Sequence, residues 1–330
     1  MQNEKIDMVY LWCDGNEKAF RERKNAFLKK EKNQNFDEEV EGEKRFFDNE
    51  ELRYSLRSLE QYAPWINHVY IVTDRQTPKW LNLNYDKISI VDHSEILPPH
   101  SIPCFNSAVI EYFLAFIPGL SEKFLYGNDD MFFGTYVTPD YFFNGKKPIV
   151  RVKRLRPEKH KEFNFSKSNN LTAYTWVGTI FNSLNILNKF YNKNFYYQPH
   201  HNIDSYTKTN FLATYKKFEN ELSKRFDNRF RKENDIERTL FSLDAVYSGN
   251  ADLKIVDRPK PWRRRLHWLK KVDWDSYCAV DSDKNDQQEI LKYKPKLFCL
   301  NSATDCSKED KQIVKQFMEK LFPNPSKFEL

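Results

Sequence analysis

Two adjacent carboxylates, Asp129 and Asp130, interrupt an apolar run that begins Phe124-Leu125-Tyr126-Gly127-Asn128 and resumes as Met131-Phe132-Phe133-Gly134. Paired acids inside a strand-like hydrophobic segment are costly to bury unless a cation compensates them. A divalent metal is the usual compensator, and hard oxygen ligands suit Mg2+ or Mn2+. The segment reads as a strand whose end presents Asp129 and Asp130 to a metal-bound phosphate. The plainer reading is a turn carrying two solvated acids. Asp14 stands in a comparable place, just after the apolar run Ile6 to Trp12.

The elements that must position these acids follow from hydrophobic periodicity. Short β-branched and aromatic runs at Ile6 to Trp12, His68 to Thr73, Ile88 to Val91 and Phe124 to Tyr126 predict buried strands. Between them, Asn49 to Tyr62 carries Leu52, Leu56 and Leu59 at helical spacing and is stopped by Pro64. Asn106 to Phe116 repeats the pattern and ends at Pro118-Gly119. Strands alternating with helices predict an α/β fold, Rossmann-like, with a mostly parallel sheet and flanking helices. Ligands of such sheets sit at the carboxyl ends of the strands, where Asp14 and the Asp129/Asp130 pair fall.

From about residue 145 the pattern changes. Lys146 to Lys161 is strongly basic and reads as a loop, Leu171 to Phe195 as helical, and Ser205 to Leu222 with Asp235 to Tyr247 as a pair of amphipathic helices. A strand at Lys296 to Leu300 and a helix from Lys308 to Leu321 close the chain. The expected organisation is one catalytic unit over residues 1–330: an α/β core from 1–145 and 296–330, and a largely helical or irregular insertion, 146–295, that carries part of the active site.

Composition bounds the function. The 330 residues hold 53 Lys and Arg against 47 Asp and Glu, a net charge of +6 that suits an anionic substrate or an acidic membrane surface, or simply a solvated basic surface. With 16 % aromatics and 8 glycines the chain reads as ordered, and no window is long and apolar enough for a membrane span. The strand pattern beginning at Ile6 leaves no room for a signal peptide. Five cysteines without zinc-ligand spacing are expected to be reduced thiols of a cytoplasmic protein. Basic residues are scattered among acids and no recognition module is present, which argues against nucleic-acid binding. The segment from Arg258 to Lys271 combines arginines with Trp262 and Trp268. It reads either as a contact for the inner membrane leaflet or as solvated surface.

Longer strings carry a family resemblance. Ile6-Asp7-Met8-Val9-Tyr10-Leu11-Trp12-Cys13-Asp14-Gly15 resembles the first conserved block of the Stealth proteins. These are sugar-phosphate transferases of microbial surface-polysaccharide synthesis, related to the catalytic subunit of the animal N-acetylglucosamine-1-phosphotransferase. Arg45 through Gly134, with Asp48-Asn49-Glu50-Glu51-Leu52-Arg53 and Asn128-Asp129-Asp130, resembles the second block. Gln198-Pro199-His200-His201-Asn202-Ile203-Asp204 through Ile236 resembles the third, and Phe298-Cys299-Leu300-Asn301 through Glu329 the fourth. Ser302 follows Asn301 where many relatives have aspartate, which weakens any acidic metal ligand from the fourth block.

The resemblance implies transfer of a hexose 1-phosphate from a UDP-sugar donor to a hydroxyl of a polysaccharide or lipid-linked oligosaccharide acceptor, with release of UMP. A metal-dependent glycosyltransferase releasing UDP is the alternative. Phosphoryl transfer needs a cation on the pyrophosphate, positive charge at the phosphoryl group and a base near the acceptor. Asp129 and Asp130 would hold Mg2+ or Mn2+, with Asp14 beside them to orient nucleotide or acceptor. His201 would be the base, with His200 as its rival. Arg231 would clamp phosphate, with Arg229 as a substitute. Arg45, Asn49 and Arg53 at a helix start, together with Asn106 and Asn301, are the expected substrate contacts.

Overall fold

The first strand, β1 (Ile6–Leu11), is buried along its whole length, which marks it as central to a sheet covered on both faces. Its side chains alternate. Val9 and Leu11 join a core with Val72, Val109, Phe124 and Phe241, whereas Met8, Tyr10 and Trp12 join another with Leu52, Leu56, Ile71 and Leu125. The computed structural model describes residues 4–31, 46, 48–168, 175–256, 276–280, 283–301 and 307–330.

β2 (Val69–Thr73) and β3 (Ile88–Asp92) follow, then β4 (Lys123–Asn128) and β5 (Met131–Phe133) either side of the acidic pair. β6 (Phe143–Asn144), β7 (Lys147–Arg154), β8 (Tyr197–Pro199), β9 (Asp204–Thr207), β10 (Asp252–Ile255), β11 (Ser276–Val280) and β12 (Leu297–Asn301) complete the strands. The central sheet runs β3-β2-β1-β4-β9, parallel except for β9 at its edge. A second sheet is built on β10-β7-β6 with β8 against β7, and a third runs β11-β12-β5. The protein is thus an α/β fold with a mostly parallel sheet and flanking helices, as its periodicity leads one to expect.

The helix Glu51–Tyr62 lays Leu52, Leu56 and Leu59 on the sheet. Its small polar residues also work inward: Ser55 Oγ lies 2.9 Å from Tyr10 Oη and donates to the Met131 carbonyl at 2.6 Å, while Ser58 Oγ accepts from the Phe133 N–H at 3.0 Å. The helix therefore fixes β5, and with it the turn before β5. The final helix, Lys308–Leu321, has a capping box between Ser307 and Asp310 and coincides with its sequence expectation.

Three expectations need correction. Residues 147–154, read as part of a basic loop, form β7. The cations mask an inward pattern of Pro148, Val150 and Val152, and Arg151 itself is buried with its guanidinium 3.6 Å from the centre of the Tyr141 ring. The expected helix from Ser205 begins instead as strand β9, and helix starts only at Lys208. The stretch Asn106 to Phe116 is broken into a short α-helix, Ser107–Glu111, and a 3-10 turn, Leu114–Phe116. The 146–295 segment thus supplies strands β7 to β11 as well as helices, and β9 joins it to the central sheet.

Candidate active site

Three distant segments meet at the carboxyl edge of the central sheet. β4 ends in register with β1, pairing Asn128 with Leu11, so Asp129 and Asp130 emerge beside the segment Trp12 to Asp14. β9 runs the opposite way with Asp204 opposite Tyr126, so the residues that precede it, His200 to Ile203, arrive at that same edge. β12 pairs Cys299 with Met131, and the Leu300 N–H donates to the Asp130 carbonyl at 2.9 Å. Gly127 keeps the end of β4 narrow, because a Cβ there would lie 3.1 Å from both Ile203 and Met8 side chains.

The acidic residues form a crowd. Burial pushes Asp129 well above the usual carboxylate range, and the charges of Asp130, Glu51 and Asp48 push it further. Burial raises Glu51 to about 8, with Asp48 and Asp130 adding to the effect, although its carboxylate accepts the Asn49 N–H at 2.7 Å. Asp48 is raised to about 6 by burial, helped by Asp14 and Glu50. The charged neighbours that act most on all three are other carboxylates. A divalent cation fits such a set: oxygen donors of converging side chains whose mutual repulsion it would remove. Asp129 and Asp130 would hold it, with Glu51 and Asp48 adding negative field. The sequence signal for Asp48 and Glu51 is the density of acids in Asp48-Asn49-Glu50-Glu51.

His201 belongs to this edge. One ligating atom each from Asp130, His201 and Cys299 lie within 4.8 Å of one another. Burial lowers His201 to about 3, aided by the charge of Arg238, so the ring is neutral at physiological pH. Its Nδ1 is shielded from solvent with no hydrogen-bond partner among the described residues, and the ring stands edge-on to Trp176 at 4.9 Å. His200 differs. Its Nε2 lies 3.2 Å from Asp204 Oδ1 and its Nδ1 2.8 Å from Ser276 Oγ, so both nitrogens are engaged. Burial acts to raise Asp204, but His200 and Arg238 outweigh it and hold the carboxyl below its usual range.

The remaining expected residues have partners of their own. The Asp14 carboxylate accepts the Asn16 N–H at 2.8 Å, while its main chain is held by the Gln76 side chain. Arg231 donates to Ser107 Oγ at 2.7 Å, at the start of the Ser107–Glu111 helix. Arg229 instead donates to the His100 carbonyl. Asn301 ends β12 exposed, with its amide 3.8 Å from Cys278 Sγ. Asn49 donates to the Lys311 carbonyl at 3.2 Å. Arg53 is committed to Glu329 at 2.5 Å, and Asn106 is fully buried, donating to Asn228, Phe230 and Asp235. The substrate-binding roles expected of Arg53 and Asn106 therefore have no support in the geometry, which gives both to the fold. Arg45 and the basic 258–271 segment lie outside the described residues. No described helix is long and apolar enough to cross a membrane.

Known proteins resemble this chain along its length. Residues 45–150 match Stealth protein CR2, conserved region 2, and residues 288–330 match Stealth protein CR4, conserved region 4. The exopolysaccharide phosphotransferase SCO6023 of Streptomyces coelicolor is 50% identical, over 42% of this chain but only 23% of its own length. The capsular polysaccharide phosphotransferase LcbA of Neisseria meningitidis is 30% identical over 90% of this chain and 82% of its own. A solved galactosyltransferase, LgtC in complex with donor and acceptor sugar analogs, aligns over 97% of this chain and 98% of its own at 9% identity and a TM-score of 0.46. The capsular polysaccharide phosphotransferase WcwK of Streptococcus pneumoniae is 30% identical over 99% of this chain and 98% of its own, and with that end-to-end match the chain belongs to the Stealth proteins.

Proposed function

We propose that this protein transfers a hexose 1-phosphate from a UDP-sugar to a hydroxyl of a surface-polysaccharide acceptor, forming a phosphodiester and releasing UMP. The observation that carries the reading is the half-buried His201 beside Asp130, with one ligating atom of each within 4.8 Å, at the edge where β4, β9 and β12 converge. The names of the relatives, capsular and exopolysaccharide phosphotransferases, agree with it.

The acceptor oxygen attacks the phosphorus that bears the sugar, and the bond from that phosphorus to the bridging oxygen breaks. UMP leaves with the bridging oxygen. His201 takes the proton of the attacking hydroxyl; its neutral ring has a lone pair to receive it. His200 is tied through Asp204 to Arg238 and positions the loop that carries His201. Asp129 and Asp130 would hold Mg2+ or Mn2+, which would supply positive charge to the pyrophosphate. Arg231, steadied by Ser107, clamps the transferred phosphoryl group. Asp14, just after β1, and Asn301, at the end of β12, contact donor or acceptor. The protein works in the cytoplasm against the inner leaflet, where the basic segment near Trp262 and Trp268 would meet a lipid-linked acceptor.

The test is the nucleotide released. Protein incubated with UDP-hexoses, a polysaccharide acceptor and Mg2+ is expected to give UMP, with phosphorus retained in the product and the reaction stopped by a chelator. UDP in its place would make the enzyme a glycosyltransferase and remove the roles given to His201 and Arg231.

A further inference from the structure

The residues around His201 offer a second kind of donor set. Asp130 brings a carboxylate oxygen, His201 an imidazole nitrogen and Cys299 a thiol sulfur, all within 4.8 Å. Cys299 Sγ already lies 3.3 Å from Asp130 Oδ2, and His201 Nδ1 is shielded and lacks a hydrogen-bond partner among the described residues. The three come from the β4 turn, the segment before β9 and β12, and each is held by the pairing of its strand. The site is therefore assembled by the fold.

Mg2+ and Mn2+ prefer oxygen ligands, whereas a mixed oxygen, nitrogen and sulfur set suits a borderline-soft ion that accepts tetrahedral geometry. We infer that Asp130, His201 and Cys299 form a Zn2+-binding site, distinct from the all-oxygen set of Asp129 and Asp130 but sharing Asp130 with it. Binding displaces the Cys299 thiol proton to solvent, leaves a fourth position for water, and uses the His201 lone pair. Zn2+ held in this way is inhibitory, because the base is consumed and the oxygen set loses one of its members.

Cobalt(II) is the spectroscopic probe, added alone to the metal-free protein. Cobalt binding needs neither nucleotide nor acceptor, so its outcome is decided separately from the transfer reaction. The expected result is a sulfur-to-cobalt charge-transfer band that saturates at a single equivalent and is bleached by one equivalent of Zn2+. Cys299→Ser should abolish the band, while Cys13→Ser and Cys278→Ser should keep it. His201→Ala should weaken cobalt binding beyond the roughly 100-fold that changes outside the ligand set can cost. A wild-type protein without the band, or a folded Cys299→Ser protein that retains it, would overturn the assignment. Should Cys299→Ser fail to fold, unchanged cobalt affinity in His201→Ala overturns it equally.

Discussion

The main-chain N–H of Leu300 donates to the carbonyl of Asp130 across 170 residues of sequence, at 2.9 Å. This bond fixes the acidic turn from the side opposite β4 and places Cys299 under the Asp130 carboxylate. The turn is thus clamped between strands while its charges crowd one another.

That crowding leads to the first expected outcome. Asp129→Asn and Asp130→Asn should each reduce turnover by roughly a hundred- to a thousandfold, the order seen when a catalytic electrostatic contact is removed. Without metal, Asp129→Asn should melt no lower than the parent, because it deletes a repelling charge. Turnover and melting temperature, with and without chelator, decide this; an Asn variant that loses both stability and activity would mean the acid serves the fold.

The two adjacent histidines should separate by readout. His201→Ala is expected to abolish transfer with little change in stability. His200→Ala leaves Asp204 Oδ1 without its imidazole partner, although Arg238 still holds Oδ2, and should cost about 1–3 kcal/mol in urea unfolding. Loss of stability in the first variant and not in the second would reverse their roles.

The acid cluster also sets a pH dependence. Glu51, ordinarily near 4.5, is raised to about 8 in the fold. Between these values the folded protein holds a proton that the unfolded chain has released. Its contribution to stability is therefore present below about 4.5 and lost as pH rises through 8. Bound metal relieves the repulsion, so Mg2+ should raise the melting temperature more at pH 8 than at pH 6. An equal rise at both values would remove Glu51 from the metal's surroundings.

Glu329 should behave in the opposite sense. Burial acts to raise it, but hydrogen bonds from Arg57, Ser326 and Arg53 bring it down to about 2. The stability it contributes is present above about 4.5 and lost as pH falls toward 2. Glu329→Ala strands Arg57, whose guanidinium lies 2.7 Å away, and should cost about 3 kcal/mol. The acid limb of the stability curve should flatten in this variant; an unchanged limb would show that other carboxylates govern it.

Much of the central sheet was legible because its strands are buried on both faces and read as plain apolar runs, as β1, β2 and β4 do. The last helix, expected from about Lys308 to Leu321, was legible, and Ser307 and Asp310 cap its start locally. β7 was not, since Arg151 and Lys153 sit among its apolar residues, and Arg151 is buried through the ring and carbonyl of Tyr141, which the sequence places ten residues earlier. Asp129 and Asp130 stood out by type and neighbours, whereas His201 was separated from His200 only by the family resemblance. Glu51 and Cys299 did not, because a glutamate in a helix's first turn and a cysteine in a strand are ordinary until the fold brings them to Asp130. Arg53 and Asn106 show the converse: chemically capable residues whose partners, Glu329 and Asp235, lie far away in sequence.

The antiparallel entry of β9 and the late arrival of β12 also bear on biosynthesis. The four parallel strands can pair once residue 128 has left the ribosome, but His201 and the clamp from Leu300 are still to come. A nascent chain can therefore hold a nearly complete sheet and remain chemically silent. On the proposed roles, transfer is expected only once β12 has been made, so a product truncated before β12 carries the acids without the clamp that fixes their turn.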